Sequence, residues 1–268
     1  SLKESPSVQV LLGRMDYLEG AAESDDDLRR AALDGTIERL RQTLRELPAS
    51  DPLARRAMFW IARALQARGD AEAANEQYDQ IHRQFGDTSE GIAATLARAE
   101  YELAAGRADA ALLLYRHVLE AVGDPLTYVN PLLSLNDLRK AVLSGHQQLL
   151  GQRQFEDALE LVEHLSQVFS KAERVELLAV TNRRWGDALL QQANEEERFS
   201  RHDTLRDARL RLRTAARAYE DLARLRFASR LFTTDLWNAG EAYYEGQSYT
   251  SAARVFEEYL RHEARWQN

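Results

Sequence analysis

Two six-residue phrases decide how this chain is read: Gly69-Asp70-Ala71-Glu72-Ala73-Ala74 and Gly106-Arg107-Ala108-Asp109-Ala110-Ala111. They correspond position by position. Each places a glycine turn ahead of helix-type sequence and ends on an alanine four residues before a tyrosine, Tyr78 or Tyr115. Residues four apart lie on one helix face. The same step from small to large recurs at Ala158/Val162, Ala215/Tyr219 and Ala252/Phe256, with successive alanines 37, 47, 57 and 37 residues apart. A helical unit recurring at this length is the mark of a solenoid. Each unit buries its apolar face only against its neighbours, so the units must stack. The expected fold is all-α, an α-solenoid of antiparallel helix pairs with about ten to twelve helices.

Working outward, Val8 to Leu18 reads as a first amphipathic helix. Ser24-Asp25-Asp26-Asp27 reads as a helix start, with Ser24 as the side-chain cap and carboxylates near the positive end of the helix dipole. That helix should stop at Leu47, before Pro48. Asp51-Pro52 opens the next, because aspartate caps and proline suits the first helical position. Residues 7–48 thus form a degenerate first pair. The clear units follow at 52–85, 93–122, 134–170, 172–226 and 234–264, within one repeat domain spanning 1–268. The stretch 123–131 reads as a loop. Asn194 to Asp203 is strongly polar and should contain the bend of an overlong unit, whose return helix runs from about Asp203 to Arg226. No segment alternates at the period of a strand.

Composition narrows the function classes. Apolar residues make up 44% and charged residues 29% of 268, typical of neither a disordered nor a membrane-embedded chain. No run approaches the ~20 apolar residues that span a bilayer, so no direct membrane insertion is expected. The net charge of −8 and the pI near 5.4 argue against a nucleic-acid partner, which calls for a basic face. Cysteine is absent, which removes disulfides, thiolate metal sites and cysteine nucleophiles. The chain opens Ser1-Leu2-Lys3, read as a processing boundary with an export signal or anchor upstream as one option.

Motifs for chemistry are missing too. No two of the six histidines, His82, His117, His146, His164, His202 and His262, stand four apart around a glutamate, as a helical zinc-protease site requires. No lysine follows a glycine, so there is no P-loop, and no Gly-x-Ser-x-Gly occurs. The expectation is no enzyme activity, no cofactor and no metal. Carboxylate runs such as Glu195-Glu196-Glu197 read as solvated surface. Tyr78, Tyr115, Tyr219, Phe256, Tyr259 and Trp185 read as core, whereas Trp60 and Trp237 fit a core and a groove position equally.

Leu236-Trp237-Asn238-Ala239-Gly240-Glu241-Ala242-Tyr243, followed by Tyr249-Thr250-Ser251-Ala252 and Phe256, resembles the tetratricopeptide repeat (TPR). The resemblance covers about 52–268, and the looser bacterial TPR proteins of the cell envelope look most similar. It implies a right-handed superhelix with close helix crossings at Ala62/Ala74, Ala99/Ala111, His146/Ala158, Gly186/Ala215 and Gly240/Ala252. His146 is large for such a crossing, and the long insertions depart from a regular array. The resemblance also implies a concave groove lined by first-helix side chains, with a protein or peptide as the partner. By register the groove residues are Arg56, Phe59, Trp60 and Arg63; Lys140 and Gln147; Arg183, Arg184 and Asp187; and Trp237, Asn238, Glu241 and Tyr244. Arginines beside aromatics suit an acidic ligand, although any one of them taken alone reads rather as ordinary surface in an arginine-rich chain. A cell-envelope or cytoplasmic location fits this reading.

Three functions remain. The first is a non-enzymatic scaffold holding a peptide or partner segment in the groove. The second is a structural segment of a longer, envelope-anchored repeat protein that self-associates through its C-terminal repeat, where Phe256, Tyr259 and Leu260 form an apolar face and Trp266 starts the approach to another unit. The third, an enzyme or its regulatory subunit, has no motif to support it.

Overall fold

The structure, a computed structural model, describes residues 5–266, with only the backbone for Arg198, Phe199 and Ala264 to Trp266. The N-terminal opening at Ser1 and the side chain of Trp266 lie outside the described residues. Twelve α-helices follow one another, with no strand among the described residues. They are α1 (Pro6–Ala22), α2 (Asp26–Glu46), α3 (Pro52–Arg68), α4 (Ala71–Phe85), α5 (Ser89–Ala104), α6 (Ala108–Val122), α7 (Leu135–Gly151), α8 (Phe155–Glu163), α9 (Lys171–Glu195), α10 (Arg198–Leu225), α11 (Phe232–Glu245) and α12 (Tyr249–Trp266). The chain divides into two compact units, 1–142 and 143–268, with the border inside α7. Each unit is all-α and built by packing consecutive helices as hairpins, the architecture of an α-solenoid.

In the first unit each helix packs on the next from α1 to α6, and α1 also packs on α3, and α3 on α5. The first helices of successive hairpins therefore lie side by side. The small residues at the crossings are fully enclosed: Ala62, Ala74, Ala99 and Ala111 are all 2% exposed or less. Tyr78 and Tyr115 fill the space beside them and are equally buried. Both turns use glycine in the left-handed region, Gly69 at φ +101° and Gly106 at φ +76°, where an L side chain is strained. The Asp70 amide then donates to the Leu65 carbonyl at 3.0 Å, closing α3 in a Schellman-type turn. Asp51 caps α3 as expected, accepting from the Leu53 amide at 2.8 Å. At α2 the cap is Asp25 rather than Ser24: its carboxylate accepts from the amides of Asp27 and Leu28.

In the second unit α9 and α10 form the longest hairpin, 25 and 28 residues, with the bend at 196–197. At ~1.5 Å per residue the return helix α10 is about 42 Å long, five residues longer at its start than the sequence suggested. Its core joins Ala215, Tyr219, Leu222, Leu236, Tyr243, Ala252 and Val255 from α10, α11 and α12. Two crossings differ from the expected pairs. A Cβ on Gly186 would meet Leu212 at 2.7 Å and the Ala208 carbonyl at 3.3 Å, so Gly186 packs on Leu212 and Ala208 rather than on Ala215. A Cβ on Gly240 would meet the ring of Phe256 at 2.4 Å, so the glycine accommodates a ring rather than Ala252.

His146 is accommodated by a polar contact. It is buried, with Nε2 2.9 Å from Thr181 Oγ1. That hydroxyl donates to the Leu177 carbonyl, so the imidazole must donate and is neutral with its proton on Nε2. Burial, helped by the charge of Arg184, lowers its pKa from 6.5 to about 4. Between those values the unfolded chain binds more protons, so this group makes stability fall as pH falls. Asp235 acts in the opposite sense. Burial raises its pKa from 3.8 to about 6 against the pull of Arg226, so its contribution falls as pH rises through that window.

Two predictions follow from this packing. The backbone of α4 ends against the start of α5 so closely that a Cβ on Gly91 would fall 1.9 Å from the Phe85 carbonyl oxygen, while nothing lies within 4 Å of one on Gly35. Gly91→Ala should therefore lower stability by at least the ~1–3 kcal/mol of overpacking. Gly35→Ala, mid-helix in α2, should raise it by about 0.5–1 kcal/mol. Thermal melts of the two variants check both signs. In denaturant titrations across pH, the stability of the parent relative to His146→Gln should fall from pH 6.5 to pH 4, by about 3 kcal/mol at most. A pH-independent difference would show that the imidazole protonates without cost.

Candidate functional site

The side-by-side packing of α1, α3 and α5 creates a cleft of about 330 Å³ in the first unit. Its floor is aromatic. Tyr17, Phe59, Trp60 and Tyr78 all line it. Trp60 meets Tyr17 and Phe59 with centroids 5.3 and 5.4 Å away, and Phe59 meets Tyr78 at 6.2 Å. Leu18 from α1 stands at the rim, 52% exposed. Leu132, Leu133, Asp137 and Ala141, from the loop before α7 and its first turns, complete the wall. The cleft shares Tyr78, Ala97 and Glu100 with a neighbouring crevice of about 280 Å³ between α4 and α5.

The expected groove residues of α3 divide here. Phe59 and Trp60 are 5% and 8% exposed, so they are floor rather than projecting anchors. For Trp60 the core and groove readings merge: the ring is packed on one side and lines the cleft on the other. Arg63 also lines the cleft, its guanidinium 5.8 Å from the Tyr17 ring centre and at the edge of reach of Gln66. Arg56 does not. Its Nε lies 2.6 Å from Glu90, whose carboxylate is nearly fully buried and also faces Arg55. Taking a charge out of water requires a partner, so Arg56 is held by the fold. Lys140 is exposed on α7 outside this lining.

In the second unit Arg183 also has partners. It reaches Asp187 on its own helix at 3.2 Å and Glu245 on α11 at 2.7 Å, tying the two helices together. Asp187 is thereby a partner of Arg183, and burial raises its pKa against the pull of that arginine. Arg184 is exposed and has no ion pair among the described residues. Gln147 is exposed as well. Trp237 is 43% exposed, with one side of its ring packed on Phe256 and Tyr259 at 5.3 Å each. Tyr244, 60% exposed, meets Tyr249 at 5.6 Å, and Asn238 and Glu241 are half-buried on the same helix. The geometry therefore brings Phe59, Trp60 and Arg63 into one cleft, and places Trp237 and Tyr244 as exposed aromatics of a separate surface.

Sequence reasoning missed Tyr17, Leu18, Glu100 and the loop residues Leu132 and Leu133. Tyr17 and Leu18 lie in the degenerate first pair, where the alanine/aromatic signal is absent. Glu100 stands one residue after Ala99, a crossing alanine, and was readable as a groove neighbour from that offset. Burial of one side of its surroundings raises the Glu100 pKa, and Arg63 opposes the shift. Among the described residues no group of three or more histidine or carboxylate side chains is placed to hold a metal, and no helix is long and apolar enough to cross a membrane.

No family model and no curated protein matches the sequence. Among solved structures, the chain is similar to the nearly identical TPR-like repeats of a kinesin light chain type protein from Podosopora anserina, at 18% identity, covering 78% of this chain and 96% of that one, with a TM-score of 0.44. It is also similar to a tetratricopeptide repeat protein from Parabacteroides merdae, at 16% identity, covering 92% and 93%, with a TM-score of 0.41. Both are helical-repeat proteins; the all-α hairpin architecture of the present chain stands on its own helices.

The two adjacent arginines of α9 should behave differently. Arg183→Glu places a third acid between Asp187 and Glu245 and should lower the melting temperature, with a loss of about 1–3 kcal/mol. Arg184→Glu should stay within about 0.5 kcal/mol of the parent, as exposed substitutions do. Parallel thermal melts at neutral pH check the contrast.

Proposed function

We propose that this protein is a non-enzymatic interaction scaffold whose first unit receives a peptide or partner segment in the cleft between α1, α3 and α5. The observation that carries this reading is the cleft between first helices, floored by the packed rings of Tyr17, Phe59 and Trp60 and rimmed by Leu18, Arg63 and Glu100. A site of this size accepts one or two side chains of a segment rather than a whole domain. Aromatic floors supply desolvated contact area, and a few polar rim groups fix orientation. The exposed aromatics Trp237 and Tyr244 of the second unit are proposed as a second contact surface.

A second reading is kept because one observation favours it. Phe227, 65% exposed, packs edge-on against Phe232 and His262 beside a hollow of about 590 Å³ at the α10–α11 turn, and Leu260 is 62% exposed nearby in sequence on α12. An apolar surface of this kind suits self-association within a structural array. Light scattering against concentration, repeated with Phe227→Ser, tests it. A mass that does not rise with concentration sets it aside.

The absence of cysteine makes the leading reading directly testable. A single thiol at Leu18→Cys, carrying an environment-sensitive dye, sits at the cleft rim. One at Ser166→Cys, exposed in the second unit, serves as the control. Peptides selected from a phage-displayed library on the parent protein should shift the dye at position 18 and leave that at 166 unchanged. Equal responses at both positions, or none at 18, would remove the cleft from the proposal.

A further inference from the structure

We infer that the cleft recognises a cationic segment, one carrying arginine or lysine beside an aliphatic residue, with Glu100 receiving the charge. This rests on the cleft being the binding site and adds the sign and chemistry of its ligand. The cleft and its adjoining crevice contain two carboxylates, Glu100 and Asp137, against one cation, Arg63. The hollow that continues the lining past Ala71 and Tyr101 adds Glu72 and Glu76.

Hydrogen-bonding capacity points the same way. Glu100 is exposed and has no hydrogen bond or ion pair among the described residues. Arg63 does not close onto it, but lies over Tyr17 and beside Gln66. The donor of Tyr78 is already used, since its hydroxyl donates to Gln66 Oε1 at 2.9 Å. In the crevice Asn75 Oδ1 is buried and accepts nothing. Beside the donors of Arg63, the unfilled groups are therefore the Glu100 carboxylate shared by cleft and crevice and Asn75 Oδ1 of the crevice, both acceptors, and a ligand that completes them must donate. Arginine and lysine supply donors with charge, and their alkyl stems cover apolar floor while the head stays at the polar rim. An acidic segment would fare worse. Arg56 is bound to Glu90, so only Arg63 is left in the lining to meet a carboxylate, and Glu100 would repel it.

The test uses three dye-labelled, end-capped nonapeptides in fluorescence polarisation at low salt. One alternates arginine with leucine, and in the others glutamine or glutamate replaces arginine. The protein variants are Glu100→Gln, Glu100→Lys and Glu163→Gln. Glu163 is an exposed carboxylate of the second unit. It controls for general attraction of a basic peptide to a chain of net charge −8. The arginine peptide should bind at least ~10-fold tighter than the glutamate peptide. Its affinity should fall about threefold to tenfold in Glu100→Gln, the range for a charge-assisted contact at an exposed rim. It should not change in Glu163→Gln, and Glu100→Lys should remove the preference. The inference is overturned if Glu100→Gln and Glu163→Gln act alike, or if the neutral or acidic peptide binds as tightly as the basic one. The dye at Leu18→Cys separates the two levels. If it responds to the glutamate peptide, the cleft stands and the sign is wrong. If it responds to none of the three, both readings fall.

Discussion

Each hairpin of this protein can bury its apolar face only against the hairpins beside it, and that contact is where the architecture is decided. The crossing residues must be small enough for two helices to meet. Ala62, Ala74, Ala99 and Ala111 satisfy this with essentially no exposure. Where the chain departs from alanine, the neighbour compensates. Gly240 leaves room for the ring of Phe256, and Gly186 for Leu212. His146 is too large for a dry crossing and instead donates a hydrogen bond to Thr181. The solution recurs in the first unit, where His82 Nδ1 meets Thr95 at 2.7 Å and Thr95 donates to the Gly91 carbonyl at 2.8 Å. In both places a helix-borne threonine that bonds its own backbone becomes the acceptor for a histidine. The cost is sensitivity to protonation, because a buried imidazole accepts a second proton poorly.

Much of this fold was legible because its signals are local. The glycine turns, the cap at Asp51 and the alanine-to-aromatic step depend on residues within one helical turn of each other. The capping box at Ser170/Glu173 was equally available to such a reading. What was not legible depends on which helix lies opposite. The turn from Phe85 to Gly91 is short, but its sequence carries no sign that the end of α4 folds back against Gly91. The pairing of Gly186 with Leu212 rather than Ala215 depends on how α10 lies against α9, which no local pattern encodes. The candidate site was half legible for the same reason. Register placed Phe59, Trp60 and Arg63 on the inner face, but it could not supply the first-helix neighbours from the degenerate pair, Tyr17 and Leu18, or the loop before α7.

Electrostatics explains why a list of inner-face arginines overstates the free positive charge. Thirty-five basic residues meet forty-three acidic ones in this chain, and several arginines serve acids that the fold has buried. Glu90 holds Arg56. Glu220 accepts from Tyr243 at 2.7 Å and takes both bonds from Arg254 at 2.9 Å, linking α10, α11 and α12. Arg183 bridges α9 to α11. Removing one member of such a group leaves an uncompensated charge with little access to water, which costs more than the pair contributes. These arginines are therefore constrained by packing before any ligand arrives.

The same accounting gives the cleft its character. Within the first unit, α1, α3 and α5 line the cleft with first-helix side chains, joined by Tyr78 of α4. Rings fill the bottom of that cleft because the inner helices need large residues to span the distance between them, as Trp60 of α3 does in reaching Tyr17 of α1. Charged groups can persist only at its rim, where water still reaches them. Of the rim groups, Arg63 has the Tyr17 ring beside it, while the Glu100 carboxylate feels Arg63 only through its field and has no hydrogen bond or ion pair among the described residues. A surface built this way has apolar area without direction and a few rim charges with direction. Its affinity would come from the floor and its selectivity from the rim, because apolar contact tolerates many shapes while an unpaired carboxylate discriminates by sign.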